Sequence, residues 1–256
     1  MASDYREFIT ENAQTKMISL RSLNILPGKE SLSRIPEGKV LINTINAHSY
    51  NIARKDLAFS DALHGGDYLI PDGMSIVIAC RLLKAASRPK ERIAGWDLFV
   101  FEMERLNERG GVCFFLGSGD AVLEKIHKRC AVDYPNIVVK SYSPPYKSEF
   151  SPEDSESMVK AVNAASPDLL WIGMTAPKQE KWTFSHWKEL DIHCHCGTIG
   201  AVFDFYAGTV SRAPLWMQKS GLEWLYRLMK EPRRMWRRYV IGNTKFMLNC
   251  IGEIFR

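Results

Sequence analysis

Short β-rich apolar runs alternate along the chain with longer stretches in which apolar residues return every three or four positions. The runs are Lys39–Asn43, Asp67–Ile70, Val112–Leu116, Ile137–Tyr142, Asp168–Ile172 and Ile192–Cys196. Their length and continuity predict buried strands. The helical stretches are Met74–Leu83, Trp96–Asn107, Ala121 to about Val132, a segment opening at Ser151-Pro152, and Gln179–Leu190. Ser151 suits an N-cap, with Pro152 at the first helical position and acids in the first turn. Gly110-Gly111 closes the helix before the Val112 run. Strands alternating with helices from Lys39 to Cys196 predict an α/β fold with a mainly parallel sheet and flanking helices. Residues 1–37 are loosely patterned around Pro27-Gly28 and Pro36. Beyond Asp204 the pattern changes to two expected helices, Pro214–Lys230 and Pro232–Cys250, rich in Trp, Met and Arg. We therefore divide the chain into a core, 1–204, and a helical appendage, 205–256.

Composition narrows the classes. Of 256 residues, 46% are hydrophobic and 25% charged, which excludes a disordered chain, a collagen or a coiled-coil rod. No apolar run approaches the roughly 18 residues of a membrane span. Met1–Thr10 lacks the apolar core of a signal peptide. The expectation is a cytoplasmic protein, held if at all at a membrane surface. Six cysteines lying mostly in apolar segments read as reduced core thiols. Charge is uneven: residues 205–256 hold ten basic and three acidic groups, a net of +7, which leaves −2 for residues 1–204. That tail predicts an anionic partner. Its arginines are interleaved with Trp216, Trp224, Tyr226, Trp236 and Tyr239, which suits a membrane interface or a nucleic acid equally.

In a parallel sheet, ligands gather beyond the C-terminal strand ends. The loops to inspect are then Thr44–Asn46, Pro71–Gly73, Gly117–Asp120, Gly173–Gln179 and Gly197–Gly200. Gly117-Ser118-Gly119, between strand and helix, fits a nucleotide-binding turn or a plain tight turn, because Val122 stands where a third glycine would complete the fingerprint. Asp72 fits a general base at a strand end or an ordinary turn residue. His193-Cys194-His195-Cys196 has the residue types of a zinc site. On a strand, however, its histidines and cysteines point to opposite faces and cannot converge on one ion. No D-x-D motif is present to hold a divalent metal on a sugar diphosphate, and Ser118 lacks the spacing of a nucleophile elbow.

The loops gain specificity as an ordered set. The chain carries Thr44-x-Asn46, Pro71-Asp72-Gly73-Met-Ser-Ile-Val, and Glu91-Arg92-Ile-Ala-Gly95-Trp-Asp97-Leu. There follow Phe115-Leu-Gly117-x-Gly119, Gly173-x-x-x-Pro177-Lys178-Gln179-Glu180 and Gly197-x-x-Gly200-Ala-Val-Phe-Asp204. Arg212-Ala-Pro214-x-Trp216, Gly221-Leu-Glu223-Trp224-Leu-Tyr226-Arg227 and Glu231-Pro232-Arg233-Arg234-x-x-Arg237-Arg238-Tyr239 complete it. Over roughly residues 38–240 this order resembles the WecG/TagA/CpsF family, glycosyltransferase family 26.

The resemblance implies a Rossmann-like fold with a C-terminal appendage that reaches the membrane. It implies an inverting bacterial enzyme that moves a sugar from a UDP-sugar to a polyprenyl-diphosphate-linked sugar in cell-surface polysaccharide biosynthesis. N-acetylmannosaminyl, glucosyl and related transfers are all open. No cofactor and no metal are implied. Asp72 matches the family's proposed base, with Arg92 near the reaction centre and Thr44 and Asn46 lining the same pocket. Gly117, Gly119 and Gln179 match loops on the nucleotide-sugar side. Arg212, Arg227, Arg233 and Arg237 match appendage arginines proposed to hold diphosphate. The expected partners are the two substrates and the inner face of the cytoplasmic membrane, not nucleic acid, and a homo-oligomer is compatible with this set. The competing reading is a non-catalytic nucleotide-binding protein whose basic C-terminus binds nucleic acid.

Overall fold

The computed structural model describes residues 18–214, 216–217 and 222–254. Lys219, Gly221 and Arg256 of the basic tail, the start of the chain to residue 17, and the side chains of Arg234, Arg238 and Tyr239 lie outside the described residues.

Six strands form one sheet: β1 (Val40–Ile45), β2 (Tyr68–Pro71), β3 (Gly111–Gly117), β4 (Ile137–Tyr142), β5 (Leu169–Gly173) and β6 (His195–Thr198). Every pairing is parallel, in the order β2-β1-β6-β5-β3-β4. The protein is thus α/β and Rossmann-like. The inner strands read as continuous apolar runs because helices cover both faces, whereas edge strand β4 (Ile137–Tyr142) is largely open, with Val138 57% exposed. Successive side chains divide between those faces. Phe115, Leu169 and Trp171 join one core cluster, while Phe114, Leu116, Leu170 and Ile172 join another.

The crossovers are α1 (Ala47–Ala53), α2 (Leu57–His64), α3 (Met74–Leu82), α4 (Gly95–Arg109), α5 (Asp120–Asp133), α6 (Pro152–Ala165), α7 (Lys178–His186) and α8 (Val202–Tyr206). The Ser151 cap forms as the sequence implies: its side chain accepts from Asp154 N–H. Helices α1, α2 and α8 are additions to the sequence reading. The loosely patterned start is also more ordered than its period suggests. Ile18, Leu20, Leu23 and Ile25 are buried, Ile25 bridges Leu69, and a 3₁₀ helix spans Lys29–Arg34.

β6 begins three residues later than expected and runs on through Gly197-Thr198. Gly197 is required there because the ring of Trp171 on β5 lies across it, 2.3 Å from where a Cβ would sit. His193 and Cys194 therefore precede the strand.

The C-terminal segment contributes α9 (Glu223–Lys230), α10 (Pro232–Trp236), a π-helical turn Arg237–Ile241 and α11 (Gly242–Ile254). Of the helix expected over Pro214–Lys230, α9 covers Glu223–Lys230; residues 215 and 218–221 lie outside the described residues. The second expected helix is broken by the π turn. α11 packs on α1, and its Phe246 and Cys250 share a cluster with Tyr50, Ile76 and Cys80. Tyr50 donates its hydroxyl hydrogen bond to Glu253, which also pairs with Arg54 at 3.6 Å. The last helix of the appendage is thus bound into the body. No helix among the described residues is long and apolar enough to cross a membrane.

Candidate active site

The C-terminal ends of β1, β2, β3, β5 and β6 open into a cleft of about 1260 Å³. That exceeds the ~300–1,000 Å³ usual for one small ligand and gives room for a donor and an acceptor together. Thr44, Asn46, Asp72, Arg92, Gly119, Gln179, Arg212, Arg227 and Arg237 all line it.

Each is placed by the backbone beneath it. Asn46 ends β1 and caps α1: its Oδ1 accepts from the His48 and Ser49 N–H groups, both at 3.0 Å. Ser49 Oγ in turn accepts from Asn46 N–H at 2.8 Å, completing a capping box. This leaves the Asn46 amide nitrogen as the end available to a ligand. Asp72 follows β2, and its N–H donates to Ile45 O at 2.8 Å, which ties the turn to the end of β1. Ile93 N–H donates to Pro71 O at 3.1 Å and brings the Arg92 loop beside that turn.

On the β3 side, Gly119 caps α5 with no side-chain acceptor, so the first-turn N–H groups of that helix point to the cleft end. Ser118 sits in the left-handed region at φ 62°, and its carbonyl accepts from Ser143 Oγ at 2.9 Å. Gly117 does not line the cleft. At φ +119° a Cβ there would stand 2.5 Å from the Gly173 carbonyl, so glycine is needed for close approach of β3 and β5. Gln179 borders the cleft but is 2% exposed, and both of its ends are engaged. Its Oε1 accepts from Met174 N–H at 3.1 Å and its Nε2 donates to Glu180 at 2.8 Å. It braces the β5–α7 loop. Glu180 is itself buried, and burial pushes its carboxyl up to about 7.

Arg92 of the core and arginines of the appendage supply the cations. Arg92 pairs with Glu223 of α9 at 3.1 Å. Arg212 stacks over Trp96 at 4.6 Å, and Arg227 over Phe205 at 5.0 Å. Burial pulls the Arg212 guanidinium below its ordinary value; Glu223 opposes the shift. Arg237 reaches the cleft from the π turn. Arg233 does not: it is exposed on α10 and outside the cleft lining.

Sequence reasoning did not single out Glu223, Trp96 or Phe205. Glu223 stood in the Gly221-Leu-Glu223-Trp224 motif as an acid inside a strongly basic tail, but was given no role there. The His-Cys tract lies away from the cleft. His193 is exposed, while buried His195 meets Glu102 at 2.9 Å and Cys194 and Cys196 are packed in the core. Among the described residues no three His, Cys, Asp or Glu side chains gather as metal ligands would.

A parallel sheet with a carboxylate and an arginine cluster facing one cleft at its strand ends suits group-transfer chemistry. The chain belongs to the glycosyl transferase WecG/TagA/CpsF family, whose model matches residues 24–256. It is 30% identical over 213 residues to the N-acetylglucosaminyldiphosphoundecaprenol N-acetyl-beta-D-mannosaminyltransferase of Bacillus subtilis (strain 168), covering 83% of this chain and 79% of that protein. It is also 30% identical to the protein of the same name from Bacillus spizizenii, over 73% of this chain and 69% of that one. The protein is accordingly a glycosyltransferase. The reading as a non-catalytic nucleotide-binding protein is set aside.

Proposed function

We propose that the enzyme transfers a hexosyl or N-acetylhexosaminyl group from a UDP-sugar to a polyprenyl-diphosphate-linked sugar, with inversion and without a metal ion. The supporting observation is the juxtaposition of Asp72 with Arg92, Arg212 and Arg227 in one cleft large enough for both substrates. The relatives' names point to an acceptor of the N-acetylglucosaminyl-diphosphoundecaprenol type.

Inverting transfer needs a base on the face opposite the leaving group. Asp72 takes the proton of the acceptor hydroxyl as its oxygen forms the bond to the anomeric carbon. The bond from that carbon to the UDP oxygen breaks, and negative charge collects on the diphosphate. Fixed cations stabilise such charge most when they are already positioned and partly desolvated. The stacked guanidiniums of Arg212 and Arg227 meet that description. The N-terminus of α5 offers further N–H donors on the nucleotide side. Thr44 and the Asn46 amide nitrogen, both at the cleft, bind sugar hydroxyls.

The test is transfer of radiolabelled sugar from a panel of UDP-sugars to a polyprenyl-diphosphate-N-acetylglucosamine in detergent, with and without excess EDTA. The account expects one or a few donors to turn over, with rates unchanged by EDTA. No transfer from any UDP-sugar refutes the donor class. Loss in EDTA restored by Mg²⁺ or Mn²⁺ refutes the metal-independent mechanism.

A further inference from the structure

Glu223 stands among cations that it does not fully satisfy. Its Oε2 accepts from Arg92 Nη1 at 3.1 Å. Its Oε1 is 3.8 Å from Arg212 Nε, beyond hydrogen-bond range. That Nε–H is buried and has no acceptor among the described residues. A buried donor without an acceptor is costly, and this one is not placed to swing towards a better partner. The guanidinium is stacked on Trp96 and lies 5.9 Å from the Phe205 ring, which Arg227 also covers. Arg92 and Arg212 are thus held at one Glu223 carboxylate with a single charge and two oxygens, while the carboxylates of Asp97 and Asp72 act on Arg212 less strongly than Glu223 does. A diphosphate carries more charge and more acceptor oxygens on two phosphorus centres. It can satisfy Arg92 and the Arg212 edge together.

We propose that Glu223 is an internal competitor for the substrate diphosphate: it holds Arg92 and Arg212 side by side, and a diphosphate takes both guanidiniums from it. This rests on reading the arginine cluster as the diphosphate site. Glu223 is a positioning residue. It keeps like charges gathered, at the expense of affinity for the anion that displaces it. No covalent step is involved; one anion exchanges for another.

The experiment is calorimetric titration of the full-length protein with inorganic pyrophosphate, UDP and farnesyl diphosphate. The variants are Glu223→Gln, Glu223→Asp and Arg212→Gln. Glu223→Gln should bind pyrophosphate roughly fivefold tighter than wild type, because an opposing charge is gone while the arginines remain. Glu223→Asp keeps the charge and should stay near wild type. Arg212→Gln should bind more weakly. A gain for UDP alone assigns the competition to the donor, and a gain for farnesyl diphosphate alone to the acceptor lipid; either supports the proposal. Glu223→Gln binding none of the three ligands more tightly than wild type, while Arg212→Gln weakens, overturns the competitor role and leaves the cluster reading standing. An equal gain in Glu223→Asp also overturns it, since charge would not be the cause. Arg212→Gln binding like wild type removes the cluster reading itself, and the proposal with it.

Discussion

Glu180 is buried, accepts one hydrogen bond from Gln179 and has an Oε2 without a partner among the described residues. Burial raises its carboxyl from the ordinary 4.5 to about 7. The folded protein therefore binds this proton more tightly than the unfolded chain does. Its stabilising contribution is complete below pH 4.5 and is lost as pH rises through about 7. The difference across that window is on the order of 3 kcal/mol. We expect wild type to lose unfolding free energy between pH 4.5 and 8 relative to Glu180→Gln, followed by urea denaturation. Parallel pH curves for the two proteins would contradict this.

At the same scale, Asp72 and Arg92 were visible as candidates only because ordered motifs surrounded them. Gln179 was legible as a loop residue, but its use of both ends within the loop was not. The partners of a side chain come from segments distant in sequence: Arg92 and Glu223 are 131 residues apart.

Among the elements, those with a long apolar period were legible and the short ones were not. α1 and α2 depend on the side chains of Asn46 and Asp56 as caps, not on a repeating face. The Asn46 signal read as part of a binding loop, and it is both. α11 shows how far the appendage belongs to the body. Phe246 is fully buried and meets Tyr50 edge-on at 5.3 Å. Phe246→Ala should cost about 3–5 kcal/mol of stability, read from chemical denaturation. A loss below 1 kcal/mol would mean that α11 is merely laid on the surface. A chain ending at Asp204 keeps all six strands but cuts α8, loses buried Tyr206 from the core and uncovers Tyr50, Ile76 and Cys80. It should fold, bind UDP and melt well below the full-length protein, without transferring sugar. An unchanged melting temperature would show α11 to be dispensable.

For the molecule as a whole, the distribution of charge was legible from the sequence, and its geometry was not. Part of the basic tail turns into the cleft through Arg227 and Arg237, while Arg233 stays outside with exposed Trp216 and Trp236. Two uses of arginine are therefore separable. Basic groups near an anionic bilayer contribute about 1 kcal/mol each, and salt screens them. Arg233→Gln should weaken sedimentation with anionic vesicles without lowering turnover in detergent. Arg227→Gln should lower turnover in both settings. Vesicle binding of the wild type that ignores added salt would count against a charge-driven contact.

In the proposed mechanism Asp72, at the end of β2, removes the acceptor proton. Single-turnover transfer by Asp72→Asn measures it most directly, alongside UDP binding by the same preparation. UDP affinity should stay within twofold of wild type and the rate should fall by roughly 100-fold or more. A rate near that of wild type, with UDP still bound, would contradict it and return Asp72 to the role of a turn residue.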